Sequence, residues 1–151
     1  QKDRYQGVPR WEPYGETLAK APFPVAYNGD IFSVEDRDAL LSAYPATRHV
    51  MLGRGLLANP ALGRMMGGGP SATPAELRRF HDKLFAAYVD EIGGNAVFRM
   101  KEWWFYAKFA FENPMAVHRL VLKVRRIDQY EAAVSRVFAS ERFASIARFQ
   151  G

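Results

Sequence analysis

Pro24-Val25-Ala26-Tyr27-Asn28-Gly29-Asp30-Ile31 and, one helix later, His49-Val50-Met51-Leu52-Gly53-Arg54-Gly55 carry the reading of this chain. Each is a short apolar run that stops at a glycine-bearing tripeptide. Between them, Ser33 and Asp36 stand at the spacing of a capping box, in which the hydroxyl accepts an orphan backbone N–H and the carboxylate reaches back. The helix so opened is expected to run to about Ala43, with Ala39, Leu40 and Ala43 on its buried side, and Tyr44-Pro45 ends it. Strand, loop, helix, strand and loop within about 30 residues make one βαβ unit with parallel strands.

Toward the N-terminus, Pro9, Pro13 and Gly15 interrupt a polar and aromatic stretch, leaving room for a short helix from Pro13 to Lys20. Toward the C-terminus, Asn59-Pro60 offers an N-cap and a first-turn proline for a short helix ending at Met66. Gly67-Gly68-Gly69-Pro70-Ser71 reads as a linker. Beyond it the periodicity is helical only. Thr73-Pro74-Ala75-Glu76 supplies a cap, a first-turn Pro and an N3 Glu for a helix to Ile92, with Leu77, Phe80, Leu84 and Tyr88 at three-to-four spacing, closed by Gly93-Gly94. Further helices are expected at about 96–111, 114–127, 129–139 and 141–149. The fold class is therefore α/β followed by all-α, with a boundary near residue 68.

Composition narrows the function. The 151 residues include no Cys, which excludes disulfides, thiolate metal sites and a cysteine nucleophile within the chain. Residues 1–69 hold 8 basic and 7 acidic side chains, residues 70–151 hold 13 and 9, so most of the net charge of +5 lies in the helical part. That excess suits a polyanionic partner. No apolar run reaches the length of a membrane span and no signal peptide opens the chain, so a cytoplasmic protein without membrane or metal partners is expected. An opening on Gln-Lys-Asp-Arg suggests a piece that starts mid-protein.

Either glycine tripeptide alone would ordinarily be a turn. Two of them at the ends of consecutive parallel strands suggest more. In a parallel barrel such loops lie at the mouth where active sites are built, and the loops after the last two strands form the usual phosphate site. Glycine lets backbone N–H groups approach an anion closely, and Arg54 adds a charge-assisted donor. Asp30 reads as a loop-shaping residue rather than a base.

These segments, together with Leu56-Leu57-Ala58-Asn59-Pro60, resemble the last two barrel strands of the tRNA-dihydrouridine synthases. Gln1 to Trp11 resembles the segment after that family's sixth strand. Arg99-Met100-Lys101-Glu102-Trp103 with Tyr106 resembles the start of its tRNA-contacting helix, in a spacing most like the bacterial subfamily acting at uridine 16. The resemblance implies the C-terminal strands of an FMN-binding TIM (β/α)8 barrel at 1–68 and a helical tRNA-binding domain at 69–151. It implies reduction of uridine to 5,6-dihydrouridine in tRNA, with FMN as cofactor and NADPH as reductant. Asn28, Gly29, Asp30, Gly53 and Arg54 would hold the FMN phosphate; Tyr5, Arg99, Lys101, Tyr106 and Arg125 would contact tRNA. No catalytic residue is assigned in this chain: the family's cysteine general acid belongs to earlier strands and is expected upstream of Gln1. The fragment alone is expected to be inactive. A non-catalytic RNA-binding module and a different FMN barrel enzyme are the competing readings.

Arg119, Lys123 and Arg126 fall at four and three spacing, so one helix face would carry three cations beside the Trp103–Tyr106 aromatic run. Trp103 and Tyr106 are expected to be partly exposed and Trp104 buried. His49 opens a buried strand; His81 and His118 are expected in packing or surface positions rather than as ligands. Met65-Met66 reads as packing.

Overall fold

The computed structural model describes residues 10–144. Eight α-helices and two short strands follow in the order α1 (Glu12–Lys20), β1 (Ala26–Tyr27), α2 (Val34–Ala43), β2 (His49–Val50), α3 (Arg54–Ala58), α4 (Leu62–Met66), α5 (Pro74–Ile92), α6 (Ala96–Ala107), α7 (Pro114–Leu122) and α8 (Ile127–Ser140) among the described residues. The strands are parallel neighbours, with Ala26 opposite His49 and Tyr27 opposite Val50. The Met51 N–H donates to the Tyr27 carbonyl one step further on.

Local chemistry places the helix starts. Ser33 Oγ accepts the Asp36 N–H while the Asp36 carboxylate accepts those of Phe32 and Ser33. Thr73 and Glu76 form the same reciprocal box at the head of α5. Gly93 ends α5 in the left-handed region, φ 57°, which glycine adopts without steric cost. Glu76 is also held by Arg64, whose guanidinium spans to both carboxylate oxygens and to the Pro70 and Ser71 carbonyls. The glycine segment is thereby strapped between α4 and α5. Hydrogen bonding from Arg64, then from the Thr73 backbone, pushes the Glu76 carboxyl down to about 2. A depressed carboxylate contributes stability above its unfolded value, near 4.5, that is lost as pH falls toward 2. Glu76→Gln is expected to flatten the thermal stability profile across that window, as followed by circular dichroism melts.

Two clusters of buried side chains form the core. The larger joins α5 to α8 around Met100, Trp103, Trp104, Val117, Val121, Tyr130, Val134 and Val137. The smaller gathers Tyr27, Ile31 and Leu40, with Trp11, Tyr14 and Tyr44 against them edge-on. Helix α3 packs on α6, so the βαβ segment rests against the helices. A cleft of about 320 Å³ between Phe32–Glu35, Ala58–Pro60 and Phe143–Ala144 marks the junction.

Several expectations are corrected. The run His49–Leu52 is not a buried strand: two residues pair, His49 is exposed and Met51 is 55% exposed. A parallel strand is buried by neighbours on both sides, and β2 has one partner among the described residues. Ala39 and Ala43 are exposed, because α2 turns Leu40 alone fully inward. A helix starts at Arg54, directly on the second glycine tripeptide, and Asn59 caps no helix; its Oδ1 accepts the Ala61 N–H in a turn before α4. On α5 the buried line is Leu77, His81 and Phe85, with Phe80 39% exposed. α7 stops at Leu122, and Arg126 caps the next helix while pairing with Asp128, whose charge favours a helix N-terminus. The stripe Arg119, Lys123, Arg126 on one helix face is thereby broken. Residues 141–144 are not helical: Phe143 bridges Phe111 as an isolated antiparallel pair. The rest of the expected helix 141–149 lies outside the described residues.

Candidate functional site

Because β1 and β2 run parallel side by side, their C-terminal loops emerge at the same edge. Asn28-Gly29-Asp30 and Gly53-Arg54-Gly55 consequently meet. Arg54 Nη2 lies 2.5 Å from Asp30 Oδ1, an ion pair between side chains 28% and 22% exposed. Gly55 is buried against the first loop: a Cβ there would stand 2.1 Å from the Ile31 carbonyl oxygen. Gly29 closes over Tyr27, where a Cβ would meet the phenol oxygen at 2.2 Å. That Tyr27 hydroxyl is buried; burial raises its pKa, and a side-chain hydrogen bond with Trp11 partly offsets the rise. At Gly53 an added Cβ would meet nothing within 4 Å. The two loops thus share one edge of the strand pair, with one guanidinium held by a carboxylate and open space at Gly53.

The second group of expected residues divides. Tyr5 lies outside the described residues. Arg99 is exposed and pairs with Glu102 at 3.1 Å on the same helix. Lys101 extends over the Phe98 ring, 5.1 Å from its centroid. Burial lowers its ammonium pKa, and the charge of Arg125 lowers it further. α6 and the α7–α8 turn therefore bring Lys101 and Arg125 together, although 24 positions separate them in the chain. Tyr106 is half-buried beside Phe105. Trp103, expected to be partly exposed, is only 4% exposed; the six inward positions of α6 include both tryptophans.

Sequence reasoning missed Lys108. It is 7% exposed, with its ammonium 4.8 Å and 5.0 Å from the Phe105 and Phe109 ring centroids. Desolvation lowers its pKa, and its charge adds to the burial that lowers His118. The signal was present as a second Phe-x-x-Lys unit seven residues after Phe98-x-x-Lys101. His81 is a core residue, hydrogen-bonded through both ring nitrogens to Asp82 and Tyr130. Among the described residues no group of three or more His, Cys, Asp or Glu side chains is placed to hold a metal, and no helix is long and apolar enough to cross a membrane.

Comparison with known proteins matches residues 1–117 to the family model "Dihydrouridine synthase (Dus)". A curated relative, the tRNA-dihydrouridine(16) synthase of Neisseria meningitidis serogroup A / serotype 4A, is 26% identical over 133 residues, 83% of this chain. The chain spans 40% of that relative's length.

Proposed function

The chain belongs to the dihydrouridine synthase family, and from that premise we propose that it is the C-terminal part of an FMN-dependent enzyme that reduces uridine to 5,6-dihydrouridine in tRNA. Residues 1–68 would be the closing strands of a (β/α)8 barrel and 69–151 a helical tRNA-binding domain. The observation that carries the reading is the meeting of the two glycine loops at one edge of a parallel strand pair, tied by Asp30 and Arg54. That is the placement a barrel's phosphate site requires.

The residues present fit a phosphate. Backbone N–H groups of Gly29, Asp30 and Gly53 would line it, and Arg54 offsets the Asp30 charge that would otherwise repel a dianion. Bound FMN, reduced by NADPH, would supply the hydride for the uridine C5–C6 bond. The family's cysteine general acid has no counterpart among these 151 residues, so this part would bind and orient rather than transfer protons. The intact protein, given NADPH and unmodified tRNA, is expected to form dihydrouridine; no product after loading with FMN would sink the assignment.

Lys101 and Arg125, near enough for the charge of Arg125 to lower the Lys101 pKa, are proposed to neutralise RNA phosphates. Lys101→Gln and Arg125→Gln should each weaken tRNA binding with little regard to sequence. Each should lower the slope of log affinity against log salt by about 1, measured by filter binding over a salt series. An unchanged slope in both variants would place the phosphate contacts elsewhere. The dihydrouridine synthase reading is favoured over a stand-alone RNA-binding module by the loop pair, which RNA binding does not need.

A further inference from the structure

An asparagine carboxamide is an electrophile for the backbone nitrogen of the next residue. Attack needs a nitrogen that carries a hydrogen and is not held by an acceptor, a following side chain that does not obstruct, and a segment free to bend. The chain has four asparagines, and these conditions sort them. Asn59 and Asn113 precede Pro60 and Pro114, whose nitrogens carry no hydrogen. Asn95 precedes Ala96, whose N–H donates to the Gly93 and Gly94 carbonyls at the head of α6. Asn28 meets every condition. It is exposed, it stands in the loop just past β1, and the residue after it is glycine. Among the described residues the Gly29 N–H makes no hydrogen bond. Fit also fixes the glycine, since a Cβ there would stand 2.2 Å from the Tyr27 phenol oxygen. The contact that requires Gly29 therefore leaves the attack on Asn28 unhindered.

We infer that Asn28 is a site of spontaneous deamidation, and that the change weakens the loop's hold on a flavin phosphate. The first part stands on the loop alone; the second rests on the phosphate reading above and deepens it. The Gly29 nitrogen bonds to Asn28 Cγ and gives up its proton to water. The Cγ–N bond then breaks, and ammonia leaves with a proton taken back from water, so that a cyclic imide remains. A water molecule opens the imide at either carbonyl. One opening leaves aspartate; the other leaves isoaspartate, with the main chain routed through the former side chain and lengthened by a methylene. No electrons are transferred in any step. Both products place a new carboxylate beside Asp30, while Arg54 is already engaged by Asp30. A modification that changes charge acts here by repulsion of the phosphate dianion. Isoaspartate also displaces the Gly29 N–H. The coupling is reciprocal: a phosphate that accepts the Gly29 N–H holds the attacking nitrogen in place, so bound flavin protects Asn28.

The test incubates the intact protein at mildly alkaline pH, once stripped of flavin and once loaded with FMN. Peptide mass mapping follows each asparagine, and methyl transfer by an isoaspartate methyltransferase reports the lengthened product. Conversion is expected at Asn28 in the stripped protein, well ahead of Asn95, and slower with FMN bound. Asn28→Gln, whose longer side chain closes the ring poorly, is expected to stay unconverted at that position. Asn28→Asp is expected to lose roughly tenfold in FMN affinity, and the neutral Asn28→Ser less, with melting temperatures followed alongside. If Asn28 converts no faster than Asn95 in the stripped protein, the modification site is overturned. If Asn28 converts equally fast with FMN bound and Asn28→Asp keeps the parent affinity, the site stands but its link to the flavin is overturned, and the first loop leaves the phosphate site.

Discussion

Tyr130→Phe is expected to destabilise the helical part by about 2 to 6 kcal/mol, out of a total that for a domain this size is about 5–15 kcal/mol. The change removes one oxygen, and the effect comes from what that oxygen holds. Trp104 Nε1, which is only a donor, gives its hydrogen to Tyr130 Oη at 2.8 Å. The Tyr130 hydrogen is then directed to His81 Nε2, 2.7 Å away, and the remaining ring hydrogen on His81 Nδ1 goes to Asp82 Oδ1 at 2.8 Å. Tyr130, Trp104 and His81 are all at most 2% exposed. Deleting the hydroxyl orphans a buried N–H and a buried ring nitrogen at once, each costing about 1–3 kcal/mol. Burial pushes the Tyr130 phenol up from its ordinary value, so it remains a neutral donor.

Trp103→Phe supplies the contrast. Its indole N–H is buried without an acceptor, so that variant loses packing but no hydrogen bond. Urea unfolding should rank Tyr130→Phe well below Trp103→Phe; the reverse order would mean that the network contributes little. The same chain makes the fold acid-sensitive. Burial lowers the His81 pKa more than the Asp82 contact restores it. The unfolded histidine, near 6.5, therefore binds a proton that the folded one refuses, so this contribution is complete above pH 6.5 and declines below it.

Gly55→Ala in the intact protein is expected to abolish most flavin retention, with affinity for FMN falling by well over tenfold. The added methyl would stand 2.1 Å from the Ile31 carbonyl oxygen and 2.7 Å from Leu62 Cδ2. Backbone cannot rotate away as a side-chain end can, so α3 must back off from the first loop and the Asp30–Arg54 pair must stretch. Overpacking of this kind costs about 1–3 kcal/mol in stability. Gly53→Ala separates ligand loss from structural damage. Its φ is −74°, outside the left-handed region, and its Cβ would meet nothing. The melting temperature is therefore expected to hold while a methyl group enters the space proposed for the phosphate and weakens FMN binding, read by fluorescence quenching of the flavin. Unchanged FMN affinity in Gly53→Ala would remove the second loop from the phosphate site.

What could be read from residue order alone was the chemistry that acts within one turn of chain. Ser33 with Asp36, Thr73 with Glu76, Pro74 at a first turn and Gly93 at a helix end are three or fewer residues apart or single-residue effects, and the helices they delimit stand where they were expected. Other features depended on partners distant in sequence. Whether His49–Leu52 pairs along its length depends on strands beside it, since strand preference is mostly a statement about neighbours. Which of Trp103, Trp104 and Tyr106 face inward depends on where α5 and α8 lie. Tyr130 reaches His81 across 49 positions, and no pattern in the chain announces that contact. Parallel strands with both loops at one edge were legible in the strand–helix–strand order, but the ion pair between Asp30 and Arg54 was not, because hydrogen-bond register sets which side chains of the two loops meet.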